Sequence, residues 1–286
     1  MPLRPRANKK IALDGAQSSR RSALCRLGAV TGLTAIGGIS PLSALLGGCG
    51  GAGGDTPASP PPSPRLGVHS LVYSLDLKGI PTTNLLISTA PRNTQALGST
   101  ILACVGRGVL VNPNLAPPDN PTDNKGNAPY ARLGSLGSYG NLWPGSGTAL
   151  YGCTSAVGGN GHVVTTTNPL NDEVTLAVVE VMNGGAIQDF KWTYVPSAPL
   201  ITSLSVTTTG PATLVAFWWG DAGVGPHTAI PDSGFTVIDA ILDVGGLVQC
   251  AVATKDVSIA GTHNVSWAAT PLQGAQLWLA AVQKAP

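Results

Sequence analysis

The chain has 286 residues, of which 16 are Lys or Arg and 14 are Asp or Glu, and only 10% are charged and 5% aromatic. The net charge of +2 hides a split: seven basic residues and a single acid precede Cys49, leaving nine basic against thirteen acidic, a net of −4, in the rest. A mildly acidic main body lacks the basic footprint of a nucleic-acid-binding surface, which excludes that class of partner.

The N-terminal residues read as an address. Arg4, Arg6, Lys9 and Lys10 are followed by "SSRRSALCRLG" and then by a weakly apolar run from Leu27 to Leu46. Basic, then apolar, then small residues is the order of an export signal, so residues 1–48 are set aside from fold reasoning. Arg20 and Arg21, directly before the apolar run, resemble the twin-arginine type of signal. Ser19 and Leu24 fit that pattern, while Ala23 stands where the family carries a bulkier side chain. Leu46-Gly47-Gly48-Cys49 resembles the bacterial lipobox, which implies that Cys49 is lipidated and becomes the mature N-terminus. The alternative is an uncleaved span, since the run would just cross a bilayer, but its glycines and Pro41 suit a permanent helix poorly. Residues 49–66, rich in Gly, Pro and Ser, then form the anchor and its tether. Gly50 rather than Asp after the cysteine points, by the same resemblance, to the bacterial outer membrane or cell surface.

After the tether come short apolar runs: "SLVYSLDL", "NLLIST", "STILACV", "TALYGC", "HVVTTT", "EVTLAVVEV", "ATLVAFWW", "LVQCAVAT", "NVSWAA" and "LWLAAV". Each is rich in β-branched or aromatic residues and bounded by Gly, Pro, Asn or Asp, and none carries a sustained helical period. The reading is all-β, with strands arranged in sandwiches.

The same order of segments occurs twice. "STILACVGRG" parallels "ATLVAFWWGD", "DNKGNAPYARL" parallels "DSGFTVIDAIL", and "ALYGCTSA" parallels "LVQCAVAT". "HVVTTTNPLNDEVTLAVVEV" parallels "HNVSWAATPLQGAQLWLAAV". Four matches in register indicate duplication, and predict two tandem modules, residues 67–190 and 191–286. Asp-x-x-Gly-Asn before an aromatic strand resembles a jelly-roll-like module of secreted bacterial and phage-associated proteins. That resemblance implies the fold and no defined activity, and Phe235 directly after Gly234 departs from it.

Candidate sites follow from the loops. On the repeat alignment Cys104 and Cys153 correspond to Phe217 and Ala251, so the second module lacks both, which favours a Cys104–Cys153 disulfide in an oxidising compartment. The alternative is buried thiols, Cys250 among them. His162 and His263 occupy matching turn positions, a symmetry that suggests hydrogen bonding within the turn. Asp119, Asp123 and Asn127 share one loop and are the candidate ligands for calcium, a hard ion that takes six to eight oxygens; turn preference accounts for the same residues. Trp218 and Trp219 are neighbours on a strand, so one is expected in the core and the other at the rim. Trp219 joins Tyr139, Trp143, Asp221 and His227 as a candidate ligand-binding set, because exposed rings beside polar loops suit stacking on a sugar. No nucleotide, metalloprotease or acyl-transfer motif is present. The expected function is therefore non-catalytic: a membrane-anchored binding or adhesion module for a glycan or envelope protein. A purely structural lipoprotein and a polysaccharide-active enzyme are the alternatives.

Overall fold

A computed structural model describes residues 62–75, 85–108, 120–139, 145–168, 173–222, 226–242 and 249–286. Among them the regular elements are all strands. The first eight are β1 (Arg65–Leu75), β2 (Leu85–Ser88), β3 (Leu97–Arg107), β4 (Thr122–Asp123), β5 (Ala131–Ser138), β6 (Gly147–Val157), β7 (Val164–Asn168) and β8 (Glu173–Met182). They build a five-stranded sheet, β1-β8-β3-β6-β5, and a three-stranded one, β2-β7-β4, with every pairing antiparallel.

The next ten are β9 (Gly184–Val195), β10 (Ile201–Thr202), β11 (Val206–Thr208), β12 (Ala212–Gly220), β13 (Thr228–Pro231), β14 (Thr236–Ile241), β15 (Cys250–Val257), β16 (Gly261–His263), β17 (Ser266–Thr270) and β18 (Ala275–Lys284). They repeat the topology strand for strand: a five-stranded sheet β9-β18-β12-β15-β14 and a three-stranded sheet β10-β17-β13. The additional ribbon β11-β16 corresponds in the first half to a single bridge, Arg92 to His162. Two jelly rolls of one design follow each other in the chain.

The duplication reaches individual hydrogen bonds. Thr89 N–H donates to the Val164 carbonyl and the Val164 N–H to Thr89 Oγ1, at 2.9 and 3.1 Å. Ser203 and Val265 repeat both bonds at 2.9 and 3.1 Å. The hydroxyl pair Ser88–Thr165 recurs as Thr202–Ser266. "LIST" at 86–89 and "LITS" at 200–203 are thus a fifth matching segment.

The second roll begins at Gly184, so a boundary at 190/191 falls inside β9. That strand pairs with β18, and residues 184–190 already belong to the second sheet. The pairing also resets the β6–β15 alignment. Cys104 faces Leu150 as Phe217 faces Val252, which sets Ala149 against Ala251 and Cys153 against Lys255, four residues from the sequence match.

Among the described residues the buried apolar side chains form three cores. One lies within the first roll, around Ile101, Val105, Tyr151 and Leu176, and one within the second, around Leu214, Trp218, Trp267 and Leu277. The third joins the two large sheets, with Leu102, Cys104, Leu150 and Val179 against Phe217, Trp219, Trp278 and Val282. The central strands are therefore covered on both faces, and β12 is buried along its whole length. This is why β3, β8, β12 and β18 read as continuous apolar runs instead of alternating ones. Glycine permits the closest approaches across the seam: a Cβ on Gly106 would come within 2.7 Å of the Trp219 ring, and one on Gly137 within 2.1 Å of Trp192 Nε1.

Candidate functional site

Four of the five candidate ligand-binding residues come together in one network, and Trp143 lies outside the described residues. Tyr139, just after β5 of the first roll, stacks on Trp219 of the second, with ring centroids 5.4 Å apart. Its hydroxyl donates to the Trp219 and Gly220 carbonyls at 2.8 and 2.7 Å. Tyr194 meets the Tyr139 ring edge-on and donates to Asp221 Oδ2 at 2.8 Å. Burial and that carboxylate together push the Tyr194 hydroxyl up to about 12. Asp221 Oδ1 accepts from the Gly274 N–H, and Gln273 reaches His227 Nδ1 at 3.1 Å while Gln249 reaches its Nε2 at 3.0 Å.

The two rings of the network are internal, while Asp221 and His227 are half-buried. Tyr139 and Trp219 are each 3% exposed, so neither ring is available as a stacking platform. Trp218 is buried too, which corrects the expectation that one of the tryptophan pair reaches the rim. The cause is tertiary: the face of β12 opposite its own small sheet is covered by the first roll.

A second polar cluster sits inside the first roll. His162 Nε2 is 3.2 Å from Asp123 Oδ2 and its Nδ1 is 3.0 Å from Thr94 Oγ1, with both His162 and Asp123 side chains buried. Asp123 also accepts from the Lys125 N–H, Asn127 Nδ2 and the Tyr130 hydroxyl. Burial would raise its carboxyl, but the donors from Asn127, Lys125, Tyr130 and His162 hold it below the usual carboxylate range. The Thr–His half of the cluster is duplicated, since Thr208 Oγ1 lies 3.2 Å from His263 Nε2. The acid is not: β4 and β13 pair with β7 and β17 so that Pro231 takes the place of Pro121, and Asp232 that of Thr122. A hydroxyl–imidazole pair kept in both rolls at the same turn is a fold element.

The same contacts bear on calcium. Asp119 lies outside the described residues. Asp123 has both oxygens engaged by protein donors, and Asn127 Oδ1 accepts the Val157 N–H. Among the described residues no group of three His, Cys, Asp or Glu is placed to hold a metal ion.

The cysteines correct an expectation. Cys104, Cys153 and Cys250 are free thiols. Cys104 points into the core between the rolls and Cys153 toward the core inside the first roll, so they leave opposite faces of one sheet and cannot bridge. Cys49, Arg20 and Arg21 lie outside the described residues.

What the sequence reading missed is the outer face of the second roll's small sheet. Leu200 (54% exposed), directly before β10, extends the β10–β17 register to Ala268, which pairs with Ile230 (61% exposed) of β13, so the three make an aliphatic row. On one side runs the Thr202–Ser266 hydroxyl pair, and on the other Thr228, whose Oγ1 accepts the Thr270 N–H at 3.0 Å. In the first roll the equivalent leucine, Leu86, is 67% exposed beside Ser88 and Thr165. The "LIST"/"LITS" match was the available signal, because a leucine kept at an exposed site in both copies has no core to fill.

Comparison with protein-family models, with curated proteins and with solved structures finds no match to the chain.

Proposed function

We propose that this is an exported envelope protein, anchored through lipid on Cys49, that acts as a non-catalytic binding or adhesion module for a glycan at the bacterial outer membrane or cell surface. The observation that carries the reading is the outer row Leu200–Ala268–Ile230 between two lines of hydroxyls. A sugar ring divides in the same way, with apolar C–H faces and hydroxyls at its rim. Cross-strand neighbours about 5 Å apart set that division at the scale of one ring. Asp232 continues the Thr202–Ser266 line, its Oδ1 accepting the Ser266 N–H, and puts one carboxylate at the rim of the row. Exposed apolar rows framed by polar groups commonly mark interaction sites.

Titration calorimetry of residues 62–286 with envelope polysaccharide tests the reading. Binding weakened at least tenfold by Leu200→Asp with Ile230→Asp supports it. Absence of binding, or binding indifferent to those changes, overturns the placement and leaves the structural-lipoprotein alternative. Anchoring is tested separately, since Cys49→Ala is expected to move the full chain from the membrane to the soluble fraction.

A further inference from the structure

In the seam between the rolls, a threonine hydroxyl and a glutamine amide are sealed together. Thr148 on β6 is 1% exposed and Gln276 on β18 is fully buried, and their Oγ1 and Oε1 atoms are 2.6 Å apart. The donors around them fix every orientation. Trp278 Nε1 can only donate, and it donates to Thr148 Oγ1 at 2.7 Å, so the hydroxyl proton is directed at Gln276. Trp192 Nε1, also donor-only, points at Gln276 Oε1 at 3.3 Å, so the amide oxygen and not its nitrogen faces the threonine. Gln276 Nε2 is then left buried with no hydrogen-bond partner among the described residues. Gly137 makes the arrangement possible, since any Cβ there would strike both Trp192 Nε1 and Gln276 Oε1.

Here an alcohol lies against a carbonyl whose oxygen faces an indole N–H, beside an unsupported amide nitrogen and away from solvent. We propose that Thr148 and Gln276 condense into an intramolecular ester that covalently joins the two rolls. The Thr148 Oγ1–Gln276 Cδ bond forms and the Cδ–Nε2 bond breaks. The hydroxyl proton passes by way of Oε1 to the nitrogen, which leaves as ammonia, and no oxidant or co-reactant is needed. Trp192 N–H, directed at Oε1, polarises the amide carbonyl and so makes its carbon more open to attack. Fixed proximity replaces a bimolecular encounter. The step occurs once per molecule, so a slow reaction suffices, and burial keeps water from reversing it. The inference is independent of the glycan reading.

The test is the intact mass of the full chain, reduced and denatured after storage of the folded protein, beside Thr148→Val and Thr148→Ser variants prepared in the same way. Wild type and Thr148→Ser are expected to be lighter than their sequences by one ammonia and Thr148→Val not, relative to the same processed chain. Trypsin should then leave residues 133–191 and 256–284, which carry Thr148 and Gln276, joined as one product. Full mass in the wild type overturns the proposal, as does an ammonia loss with those two peptides separate. The wild-type measurement decides by itself if Thr148→Val fails to fold.

Discussion

The Tyr139 hydroxyl of the first roll lies 2.7 Å from the Gly220 carbonyl of the second, and with the Trp219 carbonyl at 2.8 Å it ties one jelly roll to the main chain of the other. Tyr139→Phe keeps the ring stack on Trp219 and removes only these bonds. Because it strands buried acceptors, it is expected to cost about 1–3 kcal/mol, read as a lower denaturant midpoint at unchanged slope.

Asp123→Asn probes the buried cluster. The native carboxyl is held low, so its stabilising share is complete above the unfolded carboxylate pKa near ~4 and is lost as pH falls through the lower, folded value. Wild type should exceed the variant by roughly 2 kcal/mol at pH 7, a charged acceptor being replaced by an amide among donors. The gap should shrink in acid. Urea melts at neutral and acid pH read both points, and a gap that widens in acid would contradict the assignment.

Gly106→Val tests how closely the rolls meet. Even a Cβ at this position lies 2.7 Å from both Thr175 Oγ1 and the Trp219 ring, so a branched side chain must force the seam open. The expected loss is about 1–3 kcal/mol or more. Near-UV circular dichroism should show the tryptophan environment changing with it.

The thiols should be silent in the native state. Burial pushes Cys250 up to about 12, with the Asp239 charge adding to it, and raises Cys104 likewise. A thiolate is the reactive form, so an aromatic disulfide reagent should reach neither in the folded protein. Cys153, half-buried and also raised by burial, should react slowly. In denaturant all three should react without prior reduction, since Cys104 and Cys153 are not bridged.

Strand positions and the duplication were legible because both rest on local pattern: β-branched runs, turn residues, and segments recurring in order. The repeat gave two modules, the jelly-roll expectation came from the resemblance of the Asp-x-x-Gly-Asn pattern, and the strand order is seen only in the structure. The candidate loop residues were partly legible, for Tyr139, Trp219, Asp221 and His227 do share one network, although its two rings are buried in the seam between the rolls. The β6–β15 alignment slipped by four residues because an even shift preserves which side chains face which side, and only the pairing of Cys104 with Leu150 and Phe217 with Val252 breaks that degeneracy.

By itself, then, the sequence determined strands, turns and the twofold design, all set by interactions between residues close in the chain. Tertiary structure alone decided which strand faces meet. Packing the two large sheets against each other took Trp219, Tyr139 and Cys104 out of solvent, placed Thr148 against Gln276 from 128 residues away, and left Leu200 and Ile230 outside. Burial depends on partners distant in sequence, and alternation along one strand carries no information about what covers its second face.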